Sequence, residues 1–200
     1  MFESGENFGV IYEIGVWHGA SLVAWKLLFP HAKVVGYDIE KRELHPIALR
    51  LLENQQITIN YDDAYSDSVI EKVKEKVDLL IDDGPHTIKS QIDSLKWLDK
   101  LSDKGTLVIE DIVEGIVGIR KILKHIPKEF QNRCLYFTTF HRTGRYDDTI
   151  LVISKSDPVL ELLKETAARN YFWGMRNRFA WKIFSLIYKI LARVNLKHYK

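Results

Sequence analysis

Two short acidic segments are the most chemically distinctive part of the sequence. One reads Asp82-Asp83-Gly-Pro-His86 and the other Glu110-Asp111, and each directly follows a predicted buried strand. Neither contains a Lys or Arg, so carboxylates brought together would repel and raise one another's pKa. A hard cation relieves that cost, and oxygen ligands suit Mg²⁺, Mn²⁺ or Ca²⁺ better than zinc. The cluster predicts a divalent metal site, although each acid alone could shape a turn or cap a helix.

A histidine accompanies this cluster. His86 lies three residues after Asp83, where a neutral imidazole could accept a proton from a metal-bound hydroxyl group. It could equally be an exposed residue at the start of a helix. His18 and His141 are rival candidates for a base, and the loop 141–146 is either an acceptor-binding segment or a basic surface hairpin.

A glycine-containing turn follows the first predicted strand. It reads Glu13-x-Gly15-x-x-x-Gly19-x-Ser21. Glycines permit a tight strand-to-helix turn and a close backbone approach to a ligand, and the first free N–H groups of the next helix favour a carboxylate or phosphate. Such glycines also serve simple helix–strand packing, so the spacing alone is a weak signal.

Two further acids stand at the ends of the next two predicted strands. Asp38 follows the second strand, where a carboxylate can accept hydrogen bonds from ribose hydroxyls, and Asp63 follows the third, where it could accept from an adenine amino group. Each alone could be a turn residue. Together with the glycine turn, they predict a site for a nucleoside with a small charged tail.

These residues need a parallel sheet to bring them together, and the hydrophobic pattern predicts one. Short β-branched runs alternate with amphipathic stretches, as in βαβ units. The predicted strands are Gly9–Ile14, Lys33–Ile39, Gln56–Asn60, Val77–Asp82 and Thr106–Glu110. The predicted helices are Ser21–Phe29, Lys41–Glu53, Ser66–Lys76, Ile88–Leu101 and Glu114–His125.

The pattern changes after Pro127. Cys134–Phe140 and Thr149–Ser154 are predicted strands joined by a connection too short for a crossover helix, which indicates an antiparallel hairpin. Five βα units and a hairpin predict an α/β, Rossmann-like, seven-stranded class I methyltransferase sheet. A dinucleotide-binding enzyme would continue with further parallel units.

Composition sets the broader class. The 200 residues suit one core, a single cysteine gives no internal disulfide, and residues 1–7 do not resemble a signal peptide. We therefore expect a cytoplasmic protein. Residues 1–168 carry 21 basic against 27 acidic residues, which gives no reason to expect nucleic acid as a partner.

The C-terminal segment differs from the body. Residues 169–200 contain eight basic residues and no acid, and their periodicity predicts an amphipathic helix. We expect a catalytic domain over residues 1–155 and a helical extension over 156–200. The extension could pack on the body, contact a partner in a homo-oligomer, or lie on an anionic membrane surface.

The combined motifs resemble one family. Glu-Ile-Gly-Val-x-x-Gly-x-Ser, Val-Val-Gly-x-Asp, Ile-Asp-Asp-Gly-x-His and Val-Ile-Glu-Asp are similar to those of metal-dependent sugar O-methyltransferases of macrolides and rhamnose-containing glycans, and of cephalosporin hydroxylase-like enzymes. The resemblance covers roughly residues 9–155. It implies S-adenosylmethionine as methyl donor, a divalent ion, usually Mg²⁺, and a sugar or glycan hydroxyl as acceptor.

The resemblance also implies roles for individual residues. The metal ligands fall on Asp83, Glu110 and Asp111, and the base falls on His86, with Asp82 contacting the cofactor or holding the turn. Pro85 stands where a serine is common, and the macrolide enzymes carry an extra N-terminal region. The sequence leaves open a catechol-type O-methyltransferase acting on small molecules and a non-catalytic cofactor-binding module of a glycan-assembly complex. It does not identify the sugar, the hydroxyl, the metal or the oligomeric state.

Overall fold

The computed structural model describes residues 8–138, 149–157, 159–161 and 163–164. Nearly all of them belong to one compact unit, Met1–Glu161. The predicted amphipathic helix over 169–200 and the loop 141–148, with its candidate base His141, lie outside the described residues. The domain boundary placed after residue 155 stays a prediction. Among the residues described, no helix is both long and apolar enough to cross a membrane.

Seven strands form one mixed sheet, as predicted. They are β1 (Val10–Ile14), β2 (Lys33–Tyr37), β3 (Ile57–Asn60), β4 (Val77–Asp82), β5 (Leu101–Ile109), β6 (Cys134–Thr138) and β7 (Thr149–Ser154). Their order is β3-β2-β1-β4-β5-β7-β6. Strands β1 to β5 are parallel, and β7 lies antiparallel between β5 and β6. The predicted Rossmann-like sheet with a terminal antiparallel hairpin is therefore confirmed.

Helices cover both faces of the sheet. They are α1 (Ala20–Leu28), α2 (Pro46–Glu53), α3 (Asp67–Lys72), α4 (Ile88–Asp93) and α5 (Ile116–Leu123). Alternate residues of β1 enter opposite cores: Ile11 packs with Leu22 of α1, whereas Tyr12 packs with Ile119 of α5. Burial of both sheet faces explains why the strands are continuous apolar runs rather than alternating ones.

Several predicted boundaries were wrong. Helix α2 begins at Pro46 rather than Lys41, and α3 ends at Lys72 rather than Lys76. The helix expected over Ile88–Leu101 is α-helical only to Asp93 and continues as a 3-10 helix over Ser94–Lys100. Strand β5 then begins at Leu101, which pairs with Val77, before the register shifts and Thr106 pairs with Leu79. The apolar spacing of this segment fits burial on one face, but it does not distinguish the hydrogen-bond pattern of an α-helix from that of a 3-10 helix.

Candidate active site

The turn after β1 crosses directly above the end of β4. Gly15 has φ +90°, and a β-carbon added there would lie 2.1 Å from the carbonyl oxygen of Asp83. Its N–H donates to the carbonyl of Tyr37, and the Asp83 N–H donates to the carbonyl of Ile14. Position 15 therefore requires glycine both for its backbone conformation and for the close approach of the two strand ends.

Asp38 organises the same turn from the end of β2. Its Oδ2 accepts hydrogen bonds from the N–H groups of Val16 at 2.9 Å and Trp17 at 3.1 Å, and its Oδ1 accepts from the N–H of Glu40 at 2.9 Å. The carboxylate thus holds two strand-end loops together. The predicted contact with ribose hydroxyls stays a prediction.

Glu13 lies beneath the turn and is completely enclosed. Its Oε2 accepts from Trp25 Nε1 at 2.7 Å, and Ser21 also hydrogen bonds to it. Burial raises the pKa of the Glu13 carboxyl to about 8, and the nearby Asp83 adds to that rise while Ser21 and Trp25 oppose it. Glu13 and Ser21 therefore support the turn from below, and their predicted contacts with a cofactor stay predictions.

The other predicted cofactor residues also hold loops. Gly19 caps the start of α1 with φ +77°, and a β-carbon added there would lie 2.9 Å from the β-carbon of Ala48. Asp63 is exposed, and its Oδ1 accepts from the N–H of Tyr65 in a local turn before α3. Asp82 is buried, and its Oδ1 accepts from the Tyr65 hydroxyl at 2.6 Å and from the Gly84 N–H at 3.3 Å. Of the two roles predicted for Asp82, these contacts support holding the turn.

Two acids and a histidine meet where β4 and β5 end. Asp83, His86 and Asp111 each offer one ligand atom, and these atoms all lie within 4.8 Å of one another. The imidazole Nε2 of His86 lies 3.8 Å from Asp83 Oδ1. Both His86, at φ +54°, and Asp111, at φ +48°, adopt the left-handed backbone region that is uncommon for residues other than glycine. Two loops with uncommon backbone geometry thus bring together three side chains of types that can bind a metal ion.

Glu110 adjoins this group but is not part of it. Burial raises the pKa of Glu110 to about 8, and the charges of Asp83, Glu13, Asp111 and Asp82 raise it further. Burial likewise raises the pKa of Asp83 to about 6, with His86 opposing the rise and Asp111 reinforcing it. The predicted ligands Asp83, Glu110 and Asp111 are thus close enough to interact electrostatically, and His86 lies beside Asp83 and Asp111.

Three side chains that hydrogen bond to the acidic residues of the site were not predicted from the sequence. The Tyr65 hydroxyl bonds Asp82, the Trp25 indole bonds Glu13, and the Gln91 amide donates to the carbonyl groups of Glu110 and Asp111. Only Gln91 had a sequence signal, because it is a polar residue between the apolar positions 88 and 92 of a core-facing helix stripe.

His18 and one groove of the described surface remain, and the role of His18 as a rival base stays a prediction. The Nδ1 of His18, a rival base in the sequence, is 2.7 Å from the carbonyl oxygen of Glu43. A groove of about 440 Å³ lies between α3 and the strands β1 to β3, and its lining includes none of the predicted site residues. The chemistry therefore concentrates at the carboxyl ends of β1, β4 and β5, where open α/β sheets bind ligands.

Comparison with known proteins agrees with this location. Residues 12–112, which span the glycine turn and the acidic segments, match a family described as a methyltransferase domain. No curated protein sequence matches the chain significantly.

Several solved structures share the fold. An rRNA methylase from Streptococcus thermophilus aligns with a TM-score of 0.56 at 13% identity, over 76% of this chain and 89% of that one. A structure of cmcI with Mg and SAM aligns with a TM-score of 0.53 at 21% identity, over 74% of this chain and 65% of that one, just under two thirds of its length. SMU.1697c, a putative methyltransferase from Streptococcus mutans in complex with SAH, aligns with a TM-score of 0.52 at 15% identity, over 73% and 88% of the two chains.

Proposed function

This chain belongs to the methyltransferase-domain family, and on that basis we propose that it is an S-adenosylmethionine-dependent O-methyltransferase that acts on a sugar hydroxyl with a divalent metal ion. The observation that carries the proposal is the group of Asp83, His86 and Asp111 placed against the Gly15 turn. A methyl-donor site and a site that can ionise a hydroxyl are thereby adjacent.

The donor would bind on the turn between β1 and α1. Asp38 holds the turn in place through the N–H groups of Val16 and Trp17, so the binding surface forms before the ligand arrives. Trp17 is largely exposed and its ring lies under the Arg42 guanidinium, 4.4 Å from the ring centre. Binding to a preformed surface avoids the entropy cost of ordering a loop.

The donor set beside the turn fits a hard divalent cation. Asp83 and Asp111 would supply carboxylate oxygens, and Glu110 lies close enough for its carboxyl group to interact with the charge of Asp83. When bound there, a divalent ion lowers the pKa of a coordinated hydroxyl and orients it. Carboxylate ligands suit both Mg²⁺ and Mn²⁺.

His86 is the proposed base. As the hydroxyl oxygen of the acceptor forms its new bond to the methyl carbon, the carbon–sulfur bond of the sulfonium breaks and the hydroxyl proton passes to the imidazole. Asp83, 3.8 Å from His86 Nε2, stabilises the imidazolium that results. The products are a methyl ether and S-adenosylhomocysteine, and most of the rate comes from holding the two reacting atoms in line.

The test is methyl transfer by the purified full chain from labelled S-adenosylmethionine to a panel of glycosides and catechols. His86→Ala and Asp83→Ala are expected to abolish transfer, while S-adenosylhomocysteine binding, followed by calorimetry, survives. EDTA is expected to inhibit, and Mg²⁺ or Mn²⁺ to restore activity. Lys89→Ala is a matched surface control, because its partner Asp93 lies on the solvent side of α4.

Each contrary outcome has a distinct meaning. Full activity in EDTA contradicts the metal part of the proposal. Methylation of catechols but not of glycosides identifies a small-molecule catechol-type enzyme instead of a sugar enzyme. Cofactor binding with no turnover on any acceptor identifies a non-catalytic binding module.

A further inference from the structure

Gln91 is a buried polar residue with an unusual set of contacts. It lies in α4 with 1% of its surface exposed. Its Nε2 donates to the carbonyl oxygen of Glu110 at 3.1 Å and to that of Asp111 at 3.4 Å. Its Oε1 is buried without a hydrogen-bond partner among the described residues. Because this oxygen makes no hydrogen bond to the described residues, the hydrogen bonds of the Gln91 side chain come from its two donor contacts.

Those contacts hold the loop at residues 110–111 in a backbone conformation that its residue types disfavour. Asp111 has φ +48°, a region disfavoured for residues with a β-carbon. Such a residue persists only where its surroundings hold it there. Gln91 binds the carbonyl groups on both peptide units of this corner, and the Glu110 N–H donates to the carbonyl of Asp82. The corner is thereby held from the helix side and from the β4 side.

The same helix also fixes the other acidic loop. Thr87, the residue after His86, caps α4: its hydroxyl oxygen accepts from the Ser90 N–H at 3.0 Å, and the Ser90 hydroxyl oxygen accepts from the Thr87 N–H. The Gln91 N–H then donates to the Thr87 carbonyl. Helix α4 therefore joins the loop carrying Asp83 and His86 to the corner carrying Asp111, with Gln91 as the cross-link.

We infer that Gln91 is a positioning residue that sets the distance between Asp111 and the Asp83–His86 pair by holding the carbonyl groups of residues 110 and 111. This inference rests on the proposed function, because the distance matters only if Asp83 and Asp111 bind one cation with His86 beside it as the base. Residues that orient metal ligands without touching the metal change metal affinity by roughly 10- to 100-fold when they are replaced.

The decisive variant is Gln91→Met, which keeps the length of the side chain and removes the donor. We expect its Mn²⁺ affinity, measured on the full chain from the free-ion signal in electron paramagnetic resonance, to fall roughly 10- to 100-fold. Its urea unfolding midpoint is expected to fall modestly, because the two carbonyl groups lose their donor while the partnerless Oε1 leaves the core. A fall in Mn²⁺ affinity that a control variant of similar stability does not share is the result that a merely structural role would not produce.

Two further variants control this result. Gln91→Glu keeps the shape but turns a carboxylate toward the two carbonyl groups, so it is expected to weaken Mn²⁺ binding at least as much as Gln91→Met, and the urea midpoint of each variant shows whether it is folded. Thr106→Val removes another buried hydrogen bond, that between the hydroxyl groups of Thr106 and Ser154, from within β5 and away from the corner, so it is expected to lower the urea midpoint in a similar way. It is expected to leave Mn²⁺ affinity unchanged.

The failures are distinguishable. A wild-type chain that binds no Mn²⁺ overturns the metal part of the proposed function and this inference with it. A wild-type chain that binds Mn²⁺, together with Gln91 variants that bind it equally well, overturns the role of Gln91 alone. Affinity for S-adenosylhomocysteine without metal should stay within about twofold of the wild type in every variant, because the turn after β1 is untouched.

Discussion

The turn after β1 and the acidic corner between β4 and β5 differ in how their polar groups are satisfied. In the turn, the Asp38 carboxylate accepts three backbone N–H groups. At the corner, burial and neighbouring charge raise the pKa of Glu110 and Asp83, and one oxygen of Asp82 is buried with no hydrogen-bond partner described. The turn is complete in itself, whereas the corner has excess negative charge that a cation would relieve.

This difference indicates that the two regions suit different ligands. A surface formed by backbone N–H groups and held by its own chain can bind a ligand without rearrangement. A cluster of partly buried carboxylates carries an energetic cost in the free protein, and that cost becomes binding energy for a cation. The two regions touch at the Gly15–Asp83 contact, so their responses to mutation can be compared directly.

The largest expected effect comes from Gly15→Ala. The new β-carbon would overlap the Asp83 carbonyl oxygen and force a residue with a side chain into φ +90°. We expect the free energy of unfolding to fall by more than about 3 kcal/mol, measured by urea denaturation. Gly115→Ala is the control, because Gly115 also has positive φ but the nearest atom to an added β-carbon would be 3.9 Å away, and we expect a loss of about 1 to 3 kcal/mol from backbone strain alone. Equal losses of stability in the two variants would show that backbone strain alone, without the close approach to Asp83, explains why position 15 requires glycine.

The second prediction concerns pH. The folded pKa of Glu13, about 8, lies above its ordinary value of 4.5, mainly through burial. Between those values the unfolded chain releases a proton that the folded chain keeps, so stability falls as pH rises through this window and levels off above it. In metal-free buffer, Glu13→Gln should flatten this dependence by on the order of 1 kcal/mol per pH unit. Unfolding curves at several pH values between about 5 and 8 measure it, and an unchanged slope would contradict the prediction.

The smallest expected effect separates stability from function at the corner. Asp83→Asn removes one charge from the cluster, so the metal-free protein should become slightly more stable, by less than about 1 kcal/mol because the side chain is partly exposed. Methyl transfer should be lost in the same variant. The unfolding midpoint in EDTA measures the first effect. A lower midpoint would show that the Asp83 carboxylate stabilises the corner rather than straining it.

Much of the site could be predicted because parallel strands bring their carboxyl ends to one edge. The positions of Asp83, His86 and Asp111 after β4 and β5 follow from that rule, and the structure brings the three together as the sequence indicated. Glu110, also predicted as a ligand, lies close enough for its charge to interact with those of Asp83 and Asp111, and its role as a ligand stays a prediction. The left-handed φ of Asp111 could not be predicted, because the residue type does not specify it.

The sequence by itself determined the order of elements, the antiparallel ending and the edge of the sheet where the chemistry lies. Apolar periodicity and strand-end residues carry that information locally. Only the tertiary structure decided that Asp38 holds a turn, that Glu13 is enclosed, and that Gln91 braces the corner. Each of these depends on a contact between residues at least 12 positions apart, and a pattern read along the chain contains no information about which distant partner will fill a side chain's hydrogen bonds.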